Sequence, residues 1–286
     1  MSKPDTFRLQ HHLSAWGKAN IGWFNNPEEV AGWRVTFLSS LGIVEADLLG
    51  KRILDAGTGA GQVPFSLRDI GCHIVGLDAS AALDETRLRM ASAKNIEFVS
   101  GDINEATEIF GQETFDYVFS LGVLHHLAEP KRGFQQLARL VKPGGRLFVM
   151  VLSSEQGNLW MFLRKFIRPF TRHFSPHVTH ILCWMIAVPL ASVINMGILT
   201  ASLLKHEDRP GGRFLGITYG TLKTRSIAHF AVGLFDAVTP EYYSQHSLSE
   251  ISSWFDESGF DEIQLAYPVN VSLRGTKNVG GVRNFV

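Results

Sequence analysis

The sequence predicts an α/β fold: a mostly parallel sheet of seven strands with helices on both faces and a helical insertion after the fifth strand. Three observations carry this. From residue 51 onward, short apolar runs alternate with longer amphipathic ones, the pattern of successive βαβ units. A glycine-rich loop at residues 57–61 sits between the first apolar run and the first amphipathic one. The alternation stops near residue 152 and resumes near Ser247, so the last elements return to a sheet already begun.

Taken in order, Lys51 to Ala56 reads as the first strand. The helix after the loop has Pro64 in its first turn and Gly71 at its end. His73 to Asp78 is the second strand, and Ser80 is a cap for a helix running to about Ala93. Ile96 to Val99 and Phe115 to Ser120 are the third and fourth strands. A helix from about Pro130 to Val141 is expected to stop at Lys142-Pro143-Gly144-Gly145, after which Arg146 to Leu152 forms the fifth strand. Ser247 with Glu250 makes a capping-box pattern ahead of Ile251, Trp254 and Phe255, and Gly259 ends that helix. Phe260 to Tyr267 and Val269 to Leu273 supply the last two strands.

At 286 residues and 45% hydrophobic content, the chain can hold one large domain with a sizeable insertion. The pattern divides it into an N-terminal helical cap segment (1–50), a core (51–152), a mainly helical lid insertion (153–246) and the return of the core (247–286). Lys plus Arg and Asp plus Glu both total 27, so there is no positive field to hold a nucleic-acid backbone, and a nucleic-acid partner is not expected. Cys72 and Cys183 are too few for a disulfide framework and lack metal-ligand spacing, which points to a cytoplasmic setting and no metal. Met1 to Gln10 is polar, without the apolar core of a signal peptide.

The chemistry starts at the loop Asp55-Ala56-Gly57-Thr58-Gly59-Ala60-Gly61. Glycines let a backbone pass close to a ligand, and the helix N-terminus beyond offers amides to an anionic group. A dinucleotide loop needs its third glycine at the sixth position, and that position holds Gln62. The G-x-G-x-G spacing after Asp55 instead resembles motif I of the class I S-adenosylmethionine-dependent methyltransferases. The resemblance continues at Asp78-Ala79 after the second strand, at Gly101-Asp102-Ile103 after the third, at Phe115 to Ser120 and at Val141 to Gly145. It spans roughly residues 51–152 and 247–273. It implies a Rossmann-like sheet, S-adenosylmethionine as cofactor, and a cofactor-binding set of Asp55, Gly57, Thr58, Gly59, Gly61, Asp78, Ala79, Asp102, Ile103 and Ser120. In that set Asp78 binds the ribose hydroxyls, Asp102 accepts from the adenine amino group and Ile103 packs on the ring. Asp116 is expected to be structural, and Pro143 to Gly145 a turn.

The implied reaction moves a methyl group to O, N or C of a small, fairly apolar acceptor. The protein mainly aligns that acceptor, and a proton acceptor is needed where the nucleophile carries a proton. Candidates are His125 in Leu124-His125-His126-Leu127, and Tyr242 and His246 in the stretch from Phe235 to His246. That stretch is similar to a segment in small-molecule methyltransferases of glycan and natural-product pathways. A structural role for the histidine pair is the stronger reading, and His246 could equally cap the helix at Ser247. Two rivals stay open: a non-catalytic S-adenosylmethionine-binding partner subunit, and a nicotinamide oxidoreductase, which Gln62 disfavours.

The insertion is unusual. No Asp, Glu, Lys or Arg occurs from His173 to Leu204, and Ile181 to Leu204 is almost continuously apolar. A single membrane crossing would strand the final elements away from their sheet. The other apolar run contains Arg164, Lys165 and Arg168, and Pro189 and Asn195 interrupt the long one, so a buried helical lid is expected. On a helix, Phe162, Leu163, Phe166, Ile167 and Phe170 fall opposite Arg164, Lys165, Arg168 and Arg172. Such helices also lie on anionic membranes, so a peripheral membrane contact, with a lipid-like acceptor, stays open. Trp16, Trp23, Phe24 and Trp33 offer aromatic faces ahead of the first strand, with ordinary core packing the expected use of each.

Overall fold

In a computed structural model of the chain, the described residues are 24–80, 82–155, 159–171, 173–203, 231, 234–235, 238–240, 242–267 and 270–279. Trp16, Trp23, Arg172 and Glu241, and the side chains of Phe162 and Leu163, lie outside the described residues. The elements run α1 (Pro27–Leu41), β1 (Arg52–Ala56), α2 (Gln62–Leu67), β2 (His73–Asp78), α3 (Ala82–Arg89), β3 (Ile96–Ser100), α4 (Ala106–Phe110), β4 (Phe115–Leu121), α5 (Pro130–Leu140) and β5 (Val141–Val151). They continue through α6 (Leu159–Thr171), α7 (Pro176–Leu203), α8 (Leu248–Glu257), β6 (Phe260–Leu265) and β7 (Val271–Lys277). The chain divides into two units, one formed by Met1–Ala19 with Asn158–Pro240, the other by Asn20–Gly157 with Glu241–Val286.

The larger unit holds a seven-stranded sheet in the order β3-β2-β1-β4-β5-β7-β6. β1 to β5 are parallel neighbours, and β7 runs antiparallel to both β5 and β6. Alternate side chains along the central strands go to two separate cores, because successive residues of a strand face opposite sides. Ile53, Ile74, Phe119 and Phe148 pack with Phe37 and Leu41 of α1 and Val63 and Leu67 of α2. Leu54, Val75, Val118 and Leu147 pack with Phe134 and Leu137 of α5 and Ile251, Trp254 and Phe255 of α8. With both faces covered, the inner strands read as continuous apolar runs, whereas the edge strand β6 buries little beyond Phe260.

Three local expectations change. Lys142 to Gly145 does not separate helix from strand: Val141 already pairs with Phe115, and Arg146 pairs with Tyr117, so the corner is a bulge inside β5. Gly144 takes φ +78, and a side chain on Gly145 would meet the Asp116 carbonyl at 2.5 Å. The helix after β2 spans only Ala82–Arg89, and Ser80 does not cap it with its side chain: its hydroxyl is buried without a hydrogen-bond partner. The last strand begins at Val271, because Asn270, at φ +59, turns the chain first.

Ser247 does cap α8, accepting from the Glu250 amide at 3.1 Å. Its partner in the expected box turns elsewhere: the Glu250 carboxylate lies 3.1 Å from His246 Nδ1.

In the smaller unit, Cys183 of α7 packs with Leu234, Phe235 and Val238, and Ile167 of α6 leans on this cluster. α7 runs unbroken past Pro189 and Asn195, against the expected interruption. Nor is its first half buried throughout, since Ile181, Met185, Ile186 and Val188 are exposed. Among the described residues no helix is long and apolar enough to cross a membrane.

Because the Ser247 hydroxyl satisfies an otherwise orphan amide at the start of α8, Ser247→Ala should cost about 1 kcal/mol of unfolding free energy, measured as a lower urea midpoint at unchanged slope.

Candidate functional site

The site is built where the carboxyl ends of β1, β2 and β4 meet. After Ala56 the chain turns through Gly57, Gly59 and Gly61, all at positive φ (+83, +52 and +79). A side chain on Gly57 would meet Val123 at 2.3 Å, and one on Gly61 would meet Met90 at 2.4 Å, so both are glycine for space as well as for φ. Gly59 differs, because among the described residues nothing lies within 4 Å of where its Cβ would be. Its bare face is the open side of the loop.

The loop's amides are largely spent within the protein. Gly57 and Thr58 both donate to the Leu77 carbonyl (2.7 and 3.1 Å), and Gly61 donates to the Thr58 carbonyl (2.8 Å). Gly59 donates to Asp78 Oδ2 at 2.8 Å, and Ser80 donates to the other oxygen, Oδ1, at 2.9 Å. These four loop amides are therefore taken up within the protein. The loop offers a shape, with the buried Asp78 carboxylate as the peg that holds it. Each Asp78 oxygen keeps further acceptor capacity for a ligand hydroxyl.

Asp55 lies beneath, fully buried, accepting from the Thr58 hydroxyl at 2.6 Å. Burial is the main cause that pushes its carboxyl up to about 7; the Thr58 hydrogen bond opposes the rise and the Asp78 charge adds to it. Ser120 is buried on β4 and donates to the Ala56 carbonyl at 3.1 Å, tying the ends of β1 and β4 together. Ala79 is exposed beyond Asp78. Asp102 is also exposed and accepts from the Asn104 amide at 2.8 Å, while Ile103 is buried in the core below it. Asp116 is structural: it accepts from the Arg52 amide and from Lys142, both at 2.9 Å. Burial works to raise its carboxyl, and the Arg52 amide, Lys142 and Lys51 outweigh it and hold the group below its ordinary value.

The candidate histidines are brought together by a residue the sequence reading passed over. His125 is buried in the short helical turn after β4, its ring beside that of His126, and Tyr243 packs on both. Its carbonyl accepts from the Ser244 amide at 2.9 Å. The Ser244 hydroxyl lies 3.3 Å from that same carbonyl and 2.8 Å from His246 Nε2. His246 is buried against the Trp254 ring, and its backbone continues the edge of β5, donating to Leu152 and accepting from Ser154. Tyr242 is 40% exposed and stands apart from these contacts. The signal for Ser244 was present: in an extended segment residues i and i+2 share a face, which puts Ser244 beside His246. Glu250 was hidden by its reading as half of a capping box.

Residues 54–149 match the model of a methyltransferase domain. This segment is a class I methyltransferase domain. S-adenosylmethionine is the cofactor of that class.

Among relatives, a demethylmenaquinone methyltransferase from Clavibacter sepedonicus is 35% identical over 124 residues, covering 43% of this chain and 48% of its own. A ubiquinone biosynthesis O-methyltransferase from Erwinia tasmaniensis is 30% identical over 142 residues, covering 43% and 58%. The chain thus spans about half the length of the curated relatives it matches. Among solved structures, an O-methyltransferase family protein from Burkholderia thailandensis shares the fold, with a TM-score of 0.54 at 14% identity over 98% of this chain and 66% of that one.

The raised Asp55 carboxyl has a consequence for stability. The folded protein keeps a proton that the unfolded chain loses above the ordinary carboxyl value of 3.8, so stability drains away as pH rises from there to about 7 and then levels off. Between pH 5 and 8 this one group should remove about 2 to 3 kcal/mol. Urea unfolding of the wild type and Asp55→Asn at both pH values should show that difference only in the wild type.

Proposed function

We propose that the protein transfers a methyl group from S-adenosylmethionine to O, N or C of a small, fairly apolar acceptor by in-line displacement. The observation that carries this reading is the loop itself: Gly57, Thr58, Gly59 and Gly61 use their amides internally and set the bare face of Gly59 beside the Asp78 carboxylate, an arrangement that suits a ligand carrying hydroxyls. The residues present fit such a ligand. Gly59 leaves open space at its bare face, and beside Asp78 the Ser80 hydroxyl is buried without a protein partner. Asp78 would take the ribose hydroxyls with the acceptor capacity its amide partners leave free. The outer oxygen of Asp102 would take the adenine amino group, with Ile103 below. Asp55, Gly57, Thr58, Gly61, Ala79 and Ser120 would complete the cradle, largely through backbone shape.

The bound cofactor supplies a methyl group already activated by its sulfonium charge. What the chain must add is alignment of the acceptor and removal of its proton where it has one. His125, Tyr242 and His246 are the proposed groups on the acceptor side, because His125 and His246 flank one carbonyl-linked segment after β4 and β5. One relative is named for demethylmenaquinone and the other for O-methylation in ubiquinone biosynthesis, and a quinone-related acceptor fits the small, fairly apolar class proposed. The two free, buried cysteines suit a cytoplasmic setting.

The same reading includes contact of the smaller unit with a membrane surface. Phe166, Phe170, Ile181 and Met185 are exposed on α6 and α7, and from Gln156 to His206 the chain has five Arg or Lys and no Asp or Glu.

Calorimetry tests the cofactor: S-adenosylhomocysteine should bind saturably, NAD should not, and Asp78→Asn should weaken binding at least about tenfold, the loss of one charge-assisted pair. Saturable binding of NAD in place of S-adenosylhomocysteine would end the proposal. For the membrane contact, the protein should co-sediment with vesicles of phosphatidylcholine and phosphatidylglycerol at low salt and be released by salt. Recovery in the supernatant at every salt concentration would remove that part.

A further inference from the structure

We propose that Ser244, His246 and Glu250 form a proton relay serving the acceptor hydroxyl: Ser244 meets the acceptor, His246 is the base and Glu250 positions it. The relay rests on the methyl-transfer reading above for its substrate, but its chemistry can be tested without one.

His246 alone cannot meet a ligand. It is only 6% exposed and the Trp254 ring packs edge-on against it. Ser244 is half-buried and reachable. Its hydroxyl is closer to His246 Nε2 (2.8 Å) than to the His125 carbonyl (3.3 Å), so its proton points to the imidazole when Nε2 carries a lone pair. Glu250 favours that tautomer. Its carboxylate lies 3.1 Å from the buried Nδ1, at ion-pair distance though off the axis of a straight hydrogen bond, and a negative charge there holds a proton on Nδ1. A purely structural role does not require the hydroxyl, because the Ser244 amide already staples this segment to His125 at 2.9 Å.

The location suits the task. Val123 touches the glycine loop at Gly57, and two residues on, the His125 carbonyl holds Ser244, so the relay stands at the same end of the sheet as the loop. In the step, the acceptor O–H bond breaks and its proton passes to Ser244 Oγ as the serine's own proton moves to Nε2. The acceptor oxygen keeps the electron pair that bonds the methyl carbon, and the pair of the broken carbon–sulfur bond stays on sulfur, which becomes a neutral thioether. An imidazolium remains, facing the Glu250 carboxylate.

A serine hydroxyl activated by a histidine reacts with a fluorophosphonate. Intact-mass and peptide mass spectrometry of the full chain treated with a fluorophosphonate probe should find one adduct, on Ser244. It should be absent in Ser244→Ala, at least about 100-fold slower in His246→Gln, and several-fold slower in Glu250→Gln. Glu250 is exposed, so its replacement leaves the core intact and keeps the comparison decisive even if His246→Gln folds poorly. No adduct on Ser244, or labelling of both Glu250→Gln and folded His246→Gln at the wild-type rate, overturns the relay. S-adenosylhomocysteine calorimetry on the same samples reports on the methyl-transfer reading separately: variants should bind it as the wild type does, and a wild type that labels but does not bind would fail that reading alone.

Discussion

The larger unit's site depends on one buried charge. Asp78 ends β2 inside the protein, where an ionised carboxylate is tolerated only if hydrogen-bond donors replace the water it has lost. The donors it recruits are the amides of Gly59 and Ser80, and recruiting them decides where the loop after β1 must lie. The Leu77 carbonyl takes the amides of Gly57 and Thr58 in the same way, so the end of β2 dictates the path of the chain that leaves β1. Positive φ at three glycines is the cost of that path, and the open face at Gly59 is its product.

From there the constraints pass across the sheet. Ser120 ties β4 to the last carbonyl of β1, and the loop that follows brings Val123 against Gly57. His125 then presents its carbonyl to Ser244, and His246 extends the pairing at the end of β5. The glycine loop and the groups proposed for the acceptor side thus follow different strands yet share one end of the sheet.

Much of this was legible in the residues. The inner strands are buried on both faces, and His73 to Asp78 spans the strand found; the G-x-G-x-G spacing placed the loop, and Ser247 placed the start of α8. What was not legible has physical causes. Lys142 to Gly145 carries every sign of a break, but β4 offers partners on both sides of it, and the ladder closes around the bulge. Ser80 looked like a cap because Ser often is; here the tighter bond is from its amide to Asp78, which leaves its hydroxyl over. Glu250 fitted a local motif, and only tertiary placement shows that its carboxylate faces His246 instead. The apolar run in the insertion was read as buried, but hydropathy cannot say which apolar faces find a partner, and several in α7 do not.

The insertion leaves and rejoins the larger unit at one point. The chain leaves the sheet just after Leu152 and comes back at His246, and Ser153 and His246 form a parallel bridge, with Gln245 also donating to the Ser153 carbonyl at 2.8 Å. Departure and return are clamped together, so the intervening chain is a closed loop whose entropic cost grows only slowly with length. Segments of different size and composition can be accommodated between Ser153 and Ser244 without moving His246 or Glu250, and Ser244 itself is held by the His125 carbonyl. The geometry at Ser244, His246 and Glu250 is thus fixed by contacts within the larger unit, at the point where the chain rejoins the sheet.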